Sequence, residues 1–161
     1  MDVSESATFG TSGGGGSDYF IDFEAESKGS YASGTVSLNG IDWDMTEAVI
    51  GTLANDWKNS SKSARLRGHG TSSMTMLANT TDGLGFVRFY YRRYGTEAQV
   101  DWMVQYSTNN GSTWTQIGSD FTAPASADVQ VFSNDVNVAG NVRIRIKRAT
   151  ESGTTDRRLN I

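Results

Sequence analysis

The chain reads as an all-β protein, an antiparallel β-sandwich, and three observations predict it. Strict apolar/polar alternation recurs: Val87, Phe89 and Tyr91 against Arg88, Tyr90 and Arg92, then Val100, Trp102, Val104 and Tyr106 against Asp101, Met103 and Gln105. A period of two buries one face of a strand and leaves the other wet. Turn-forming residues separate such runs, giving about ten strands at roughly 10–12-residue spacing, the signature of a sandwich. The composition agrees: 161 residues hold 18 Gly, 1 Pro, 7 Phe, 6 Tyr and 4 Trp, enough apolar bulk for one core in a turn-rich chain.

Residues 1–17 are low in complexity and include four consecutive glycines, so they predict a flexible linker or arm, with a single domain over 18–161. That glycine run lacks the Lys-Ser/Thr and the helix pattern of a phosphate loop. Tyr19 to Glu26 predicts the first strand. Tyr19, Ile21 and Phe23 share one face, and Asp22, Glu24 and Glu26 share the other. Three carboxylates in a row repel unless a cation sits among them, which makes them the candidate metal ligands. Thr35 to Met45 predicts a hairpin. Asn39-Gly40 suits a two-residue type I′ turn, which pairs Leu38 with Ile41 and Val36 with Trp43. Asp42 and Asp44 then face outward, and Trp43 faces the core.

Thr46 to Lys62 has no clean period and reads as a short helical turn or a long loop. From Ala64 to Gly70, Ala64, Leu66 and Gly68 alternate with Arg65, Arg67 and His69. Met74 and Met76 mark a further strand. Leu84 to Ile117 reads as a three-strand meander in the middle of one sheet, turned at Asn109-Asn110-Gly111. Val129 to Val138 supplies one or two strands. Asn141 to Arg148 supplies another, with Val142, Ile144 and Ile146 inward and Arg143, Arg145 and Lys147 outward.

Several classes of chemistry are excluded or disfavoured. The chain has no cysteine and one histidine, so thiolate chemistry and histidine-cluster metal chemistry are ruled out. No stretch is long and apolar enough to span a membrane, and no secretory leader pattern is visible. The formal net charge is −4, which argues against a nucleic-acid partner. It is unevenly spread: residues 1–60 hold ten acids and two bases, whereas residues 61–161 hold eight acids and twelve bases.

Phe23-Glu24, the turn YSTNNGSTW at Tyr106–Trp114, VRIRIKR at Val142–Arg148 and the terminal Leu159-Asn160-Ile161 together resemble the jelly-roll, lectin-like accessory domains of secreted bacterial proteins. These are MAM-like and cleaved-adhesin-like modules and jelly-roll carbohydrate-binding modules. The resemblance covers residues 19–161, and the S-T-x-x-G-S-T-W turn is its most specific part. It implies a jelly roll, and a non-catalytic, secreted or cell-surface module of a longer multidomain chain. It also implies a structural calcium, held in part by Glu24 and in part by an acidic residue that would follow Leu159-Asn160-Ile161.

The residues themselves favour binding over catalysis. No G-x-S-x-G elbow accompanies His69. The run Asp42-Trp43-Asp44-Met45-Thr46-Glu47 is similar to the E-x-D-x-x-E strand of jelly-roll glycoside hydrolases, but Asp stands where the nucleophilic Glu would be. The outward sets Arg65, Arg67 and His69; Arg88, Tyr90 and Arg92; Asp101 and Gln105; and Arg143, Arg145 and Lys147 would form a single face if their strands were neighbours, with Arg65, Arg67, His69, Arg88, Tyr90, Arg92, Gln105 and Arg145 as its candidate ligand residues. Guanidinium groups with an aromatic plane and amides suit a polysaccharide, in particular an acidic one. The expectation is a targeting or adhesion module for a glycan. The rival readings are a structural spacer without a glycan ligand and, less favoured, a jelly-roll glycoside hydrolase.

Overall fold

The computed structural model describes residues 7–10 and 18–161. Within them the fold is all-β, with no helix. The strands are β1 (Ala7–Gly10), β2 (Tyr19–Ile21), β3 (Gly34–Leu38), β4 (Ile41–Thr46), β5 (Ala48–Gly51), β6 (Ser63–Leu66), β7 (Ser73–Met76), β8 (Leu84–Arg93), β9 (Trp102–Ser107), β10 (Thr115–Phe121), β11 (Gln130–Val138), β12 (Arg143–Arg148) and β13 (Leu159–Asn160). They form two antiparallel sheets packed face to face. Sheet I has the order β2-β1-β8-β13-β6-β5, with β11 also paired to β8. Sheet II has the order β10-β9-β12-β7-β4-β3. The two inner faces share one core cluster, in which Trp43, Trp102, Phe23, Phe89, Ile144 and Ile146 are among the largest buried side chains. The strand order is compatible with a jelly roll.

The β3–β4 hairpin follows the expected register, Leu38 opposite Ile41 and Val36 opposite Trp43. Asn39 and Gly40 have φ of 47° and 87°, the left-handed pair that a type I′ turn requires. Trp43 is fully buried, as the alternation predicts. Where the sequence loses its period, the backbone turns a corner. Glu47 has φ 46°, which ends β4 in sheet II and starts β5 in sheet I.

Four expectations need correction. Ala7–Gly10, within the predicted arm, is strand β1, and its Ala7 and Phe9 lie in the core. The glycine run lies outside the described residues. The first predicted strand ends at Ile21, because Phe23 turns to φ 65° to enter the core; Asp22, Glu24 and Glu26 therefore do not line one strand face. The segment at 46–62 holds strand β5 and a loop rather than a helical turn. Finally, Leu84 to Ile117 is not one meander. β8 lies in sheet I and β9 in sheet II, and only β9 and β10 pair. The connection at 94–101 crosses between the sheets instead of closing a hairpin.

Beyond β12 the chain runs back across the β6–β7 connection. The Gly70 amide donates to Gly153 O at 2.9 Å, and Arg157 N donates to Arg67 O at 3.0 Å. A Cβ at Gly70 would lie 2.5 Å from the Ser152 backbone nitrogen, so only glycine admits this approach. The crossing brings Glu151 to the outer side of sheet II.

Candidate functional site

The eight candidate ligand residues divide between the two sheets, because the 94–101 crossing separates β8 from β9. Arg65, Arg67, His69, Arg88, Tyr90 and Arg92 lie on or beside sheet I, and Gln105 and Arg145 lie on sheet II. The single face anticipated from alternation does not exist.

The sheet I residues are mostly committed to partners. Arg65 is buried, with its Nη1 2.8 Å from Asp56 Oδ2, and the Asp56 side chain is fully enclosed. The loop before β6 folds over this end of the sheet, so the outer side of β6 is dry. Arg67 donates to Glu47 Oε2 at 3.0 Å and to Asp156 Oδ1 at 2.9 Å. His69 Nε2 lies 2.9 Å from the same Asp156 oxygen. The guanidinium groups interleave with two tyrosines. Arg67 lies 4.8 Å and Arg65 5.9 Å from the Tyr31 ring centre; Arg65 lies 5.2 Å and Arg158 4.1 Å from the Tyr94 ring centre. Such stacking is a cation–π ladder, and it knits the surface together. Arg92 donates to Ala127 O at 2.7 Å. Arg88 covers Tyr90 at 5.3 Å, on the outer side of β8.

Asp22, Glu24 and Glu26, the candidate calcium ligands, leave the strand and make local contacts. Asp22 Oδ1 accepts the Glu24 amide at 3.1 Å, and Glu24 Oε1 accepts the amides of Ser61 and Lys62, each at 2.9 Å. Lys62 Nζ donates to the Glu26 carbonyl at 2.7 Å. Among the described residues, no group of three or more His, Cys, Asp or Glu is placed to hold a metal ion.

The outer face of sheet II is an open polar surface. Register places Gln116, Gln105, Arg145, Thr75, Asp44 and Thr35 in one row across its strands. A hollow of about 320 Å³ opens on this face. Ser73 and Thr75 of β7 and Arg145 and Lys147 of β12 floor it, and Gly70, Thr71, Ser72 and Glu151 wall it. Their strand neighbours Met74, Ile144 and Ile146 are buried, which is what turns these polar side chains outward.

Arg145 is held on two sides. Its Nε donates to Gln105 Oε1 at 2.7 Å, and its guanidinium carbon lies 4.2 Å from the Trp114 ring centre. Its two Nη atoms have no hydrogen-bond partner among the described residues. The turn before Trp114 is tightly bonded. Ser107 Oγ accepts the Gly111 amide at 2.9 Å, Asn109 Oδ1 accepts the Thr113 amide at 2.9 Å, and Asn110 and Gly111 have φ of 60° and 85°. The S-T-x-x-G-S-T-W pattern thus serves to fix one tryptophan against one arginine.

At the other end of the hollow, Lys147 Nζ is paired with Glu151. The hydrogen bond and charge of Lys147 hold the Glu151 carboxyl below its usual range. Burial lowers Arg145 from its ordinary value, with Glu151 working against that shift. A guanidinium remains charged regardless. Asp44, beyond Thr75 in the row, is occupied: it accepts the hydroxyls of Ser33 and Thr46, each at 2.6 Å.

Of the sequence candidates, Gln105 and Arg145 belong to this site. Trp114, Ser73, Thr75, Lys147 and Glu151 were not among them. Lys147 and Trp114 carried a signal, one in the outward set of β12 and the other at the end of the Asn-Asn-Gly turn. Glu151 carried none.

No family model matches the chain, and no curated protein matches it.

Proposed function

We propose that the chain is a non-catalytic module that binds carbohydrate through the outer face of sheet II, as part of a secreted or cell-surface multidomain protein. The observation that supports it most is the Trp114–Arg145–Gln105 stack beside a hydroxyl-lined hollow of about 320 Å³. Sugar sites combine an aromatic plane, which packs on the apolar face of a pyranose, with fixed polar groups for its hydroxyls. The hollow is of the size expected for one or two sugar rings, at the lower end of the usual ligand-site range. A module of this kind would keep a longer protein against a polysaccharide surface.

Two details favour binding over hydrolysis. Asp42 and Asp44 do share an outer face, but Asp stands at 42 where the nucleophilic Glu would be, and the second carboxylate, Asp44, is tied to Ser33 and Thr46. Among the described residues no second pair of carboxylates flanks the hollow, where Glu151 is the one acid of the lining. The spacer reading draws on sheet I, whose cations Arg65, Arg67 and Arg158 are already paired with acids.

Affinity electrophoresis against a polysaccharide panel tests the proposal. Retardation by at least one glycan is expected, with loss in Trp114→Ala and no loss in Arg88→Ala. A glycan that binds Trp114→Ala as well as the parent would remove sheet II as the site. Release of reducing ends from the panel, abolished in Asp42→Asn, would overturn the non-catalytic reading.

A further inference from the structure

We propose that the hollow on sheet II receives the anionic group of an acidic sugar, a ring carboxylate or a sulfate ester, on the Arg145–Lys147 pair, and that Glu151 is the internal carboxylate this group displaces. This rests on the carbohydrate reading above and specifies the ligand class. Three observations on sheet II carry it.

The first is the state of Arg145. Its Nε is bound to Gln105 and its plane is stacked on Trp114, so the side chain is already immobilised. What remains is the outer edge of the guanidinium, two Nη groups without a partner among the described residues, on a side chain that lines the hollow. A planar fork of donors matches the oxygen pair of a carboxylate or a sulfate, with two parallel bonds. A neutral hydroxyl uses one of them at most. A fork held in place before binding loses little freedom when the ligand arrives.

The second is the charge of the hollow. Arg145 and Lys147 supply two cations, and Glu151 is the one acid in the lining. The site therefore keeps a positive balance on a chain whose net charge is −4. Ser73, Thr75 and Thr71 add hydroxyls that can donate to the remaining oxygens of an oxyanion or accept from sugar hydroxyls.

The third is Glu151 itself. Its carboxylate sits on Lys147, and its side chain is 72% exposed against 14% for Lys147. The lysine is fixed in the floor while the acid stands on the rim, in the loop that crosses from β12 to β13. The pair shows that a carboxylate fits at this ammonium. An arriving anion of higher local charge complementarity replaces one exposed acid and leaves it in water.

The test uses the full chain and its Arg145→Gln, Glu151→Gln and Arg88→Gln variants. Titration calorimetry is run with oligosaccharides of a polyuronate, of a sulfated galactan and of a neutral glucan, together with a single-stranded DNA oligonucleotide. Thermal melts confirm that each variant is folded. In parallel, the Nε–H resonance of Arg145 is followed by NMR while glucuronate or inorganic sulfate is added.

Arg145→Gln is expected to weaken the acidic ligand about tenfold or more, the scale of losing one charge-assisted bidentate contact. Glu151→Gln is expected to tighten it several-fold, and Arg88→Gln to leave it unchanged. Preference between the polyuronate and the sulfated galactan identifies which oxyanion the fork takes. If the neutral glucan binds as tightly as both acidic ligands, or Glu151→Gln weakens acidic binding, the assignment fails while the carbohydrate reading stands. If no oligosaccharide binds and Arg145 does not respond to either small anion, both readings fall. Equal binding of DNA would overturn the sugar assignment in favour of a general anion surface.

Discussion

Arg65 separates a wet-face reading of β6 from the structural one, and its removal has a calculable cost. Its guanidinium is 2.8 Å from Asp56, whose side chain is 0% exposed. Asp56 also accepts from Asn160 Nδ2 and from the Leu53 amide, each at 2.8 Å. Asn160 in turn accepts the Trp57 amide at 3.0 Å and donates to Ser63 at 3.1 Å. In Arg65→Ala those hydrogen bonds survive, but the carboxylate loses its one counter-ion among the described residues, with its side chain fully enclosed. Breaking a buried ion pair from one side costs about 3–5 kcal/mol, because the remaining charge is uncompensated. At ~2–4 °C per kcal/mol for a chain of this size, the melting temperature should fall by roughly 6–20 °C. Arg88→Ala, which removes only a contact to the half-exposed Tyr90, should stay within about 0.5 kcal/mol of the parent. The assay is urea denaturation of both variants, with Asp56→Ala and the double variant Asp56→Ala/Arg65→Ala beside them. The double variant should be less destabilised than the two single losses added together, since the pair is coupled. An Arg65→Ala protein within about 1 kcal/mol of the parent would refute the reasoning and return Arg65 to the pool of free surface cations.

Ile144→Ala should cost about 2–5 kcal/mol by denaturant melt, because the side chain is fully enclosed between the sheets and leaves a cavity. Calcium should leave the melting temperature unchanged, given that Glu24 is engaged with the amides of residues 61 and 62; a rise of several degrees that disappears in Glu24→Gln would contradict this. Tyr19 should make the fold sensitive to alkali. Burial pushes its hydroxyl up to about 12, against the opposing hydrogen bond from Trp43. The unfolded chain ionises it near pH 10, so the stabilisation is complete below about pH 10 and is lost as the pH rises through about 12. Allowing for partial exposure, the loss is about 2 kcal/mol. Melts of the parent and Tyr19→Phe at pH 8 and pH 11 should show a smaller alkaline loss in the variant, and equal losses would refute the assignment.

What could be read from the residues depended on how local its cause was. The β3–β4 register follows from a two-residue turn and a period of two, both contained within eleven residues, and it came out to the residue. The outward direction of Arg143, Arg145 and Lys147 follows from the burial of Val142, Ile144 and Ile146, again a local matter. Arg65 obeyed the same alternation but is dry, because residues outside the strand cover its side of β6: Asp56 on the preceding loop and, far along the chain, Asn160 on β13 and Tyr94 after β8. Alternation tells which way a side chain points. It does not tell whether a loop lies on top.

The same limit explains why the site was half seen. Gln105 and Arg145 meet because β12 inserts between β9 and β7, strands that begin at residues 143, 102 and 73. Nothing near any of the three strands encodes that neighbourhood, and the apparent hairpin after β8 pointed to a different one. Trp114 was visible as the residue that ends a glycine turn, but its direction was not. Thr115 and Gln116 are both exposed, so the alternation that would have aimed the ring breaks at the start of β10. The direction comes from Gly111, where a Cβ would lie 3.3 Å from the indole ring, and from Arg145 on β12, beyond β9. A turn with positive φ at both Asn110 and Gly111 can lay an aromatic side chain flat on a sheet, where a regular strand residue would stand upright. In this chain it falls beside the one guanidinium of the row that has both a fixed plane and a free edge.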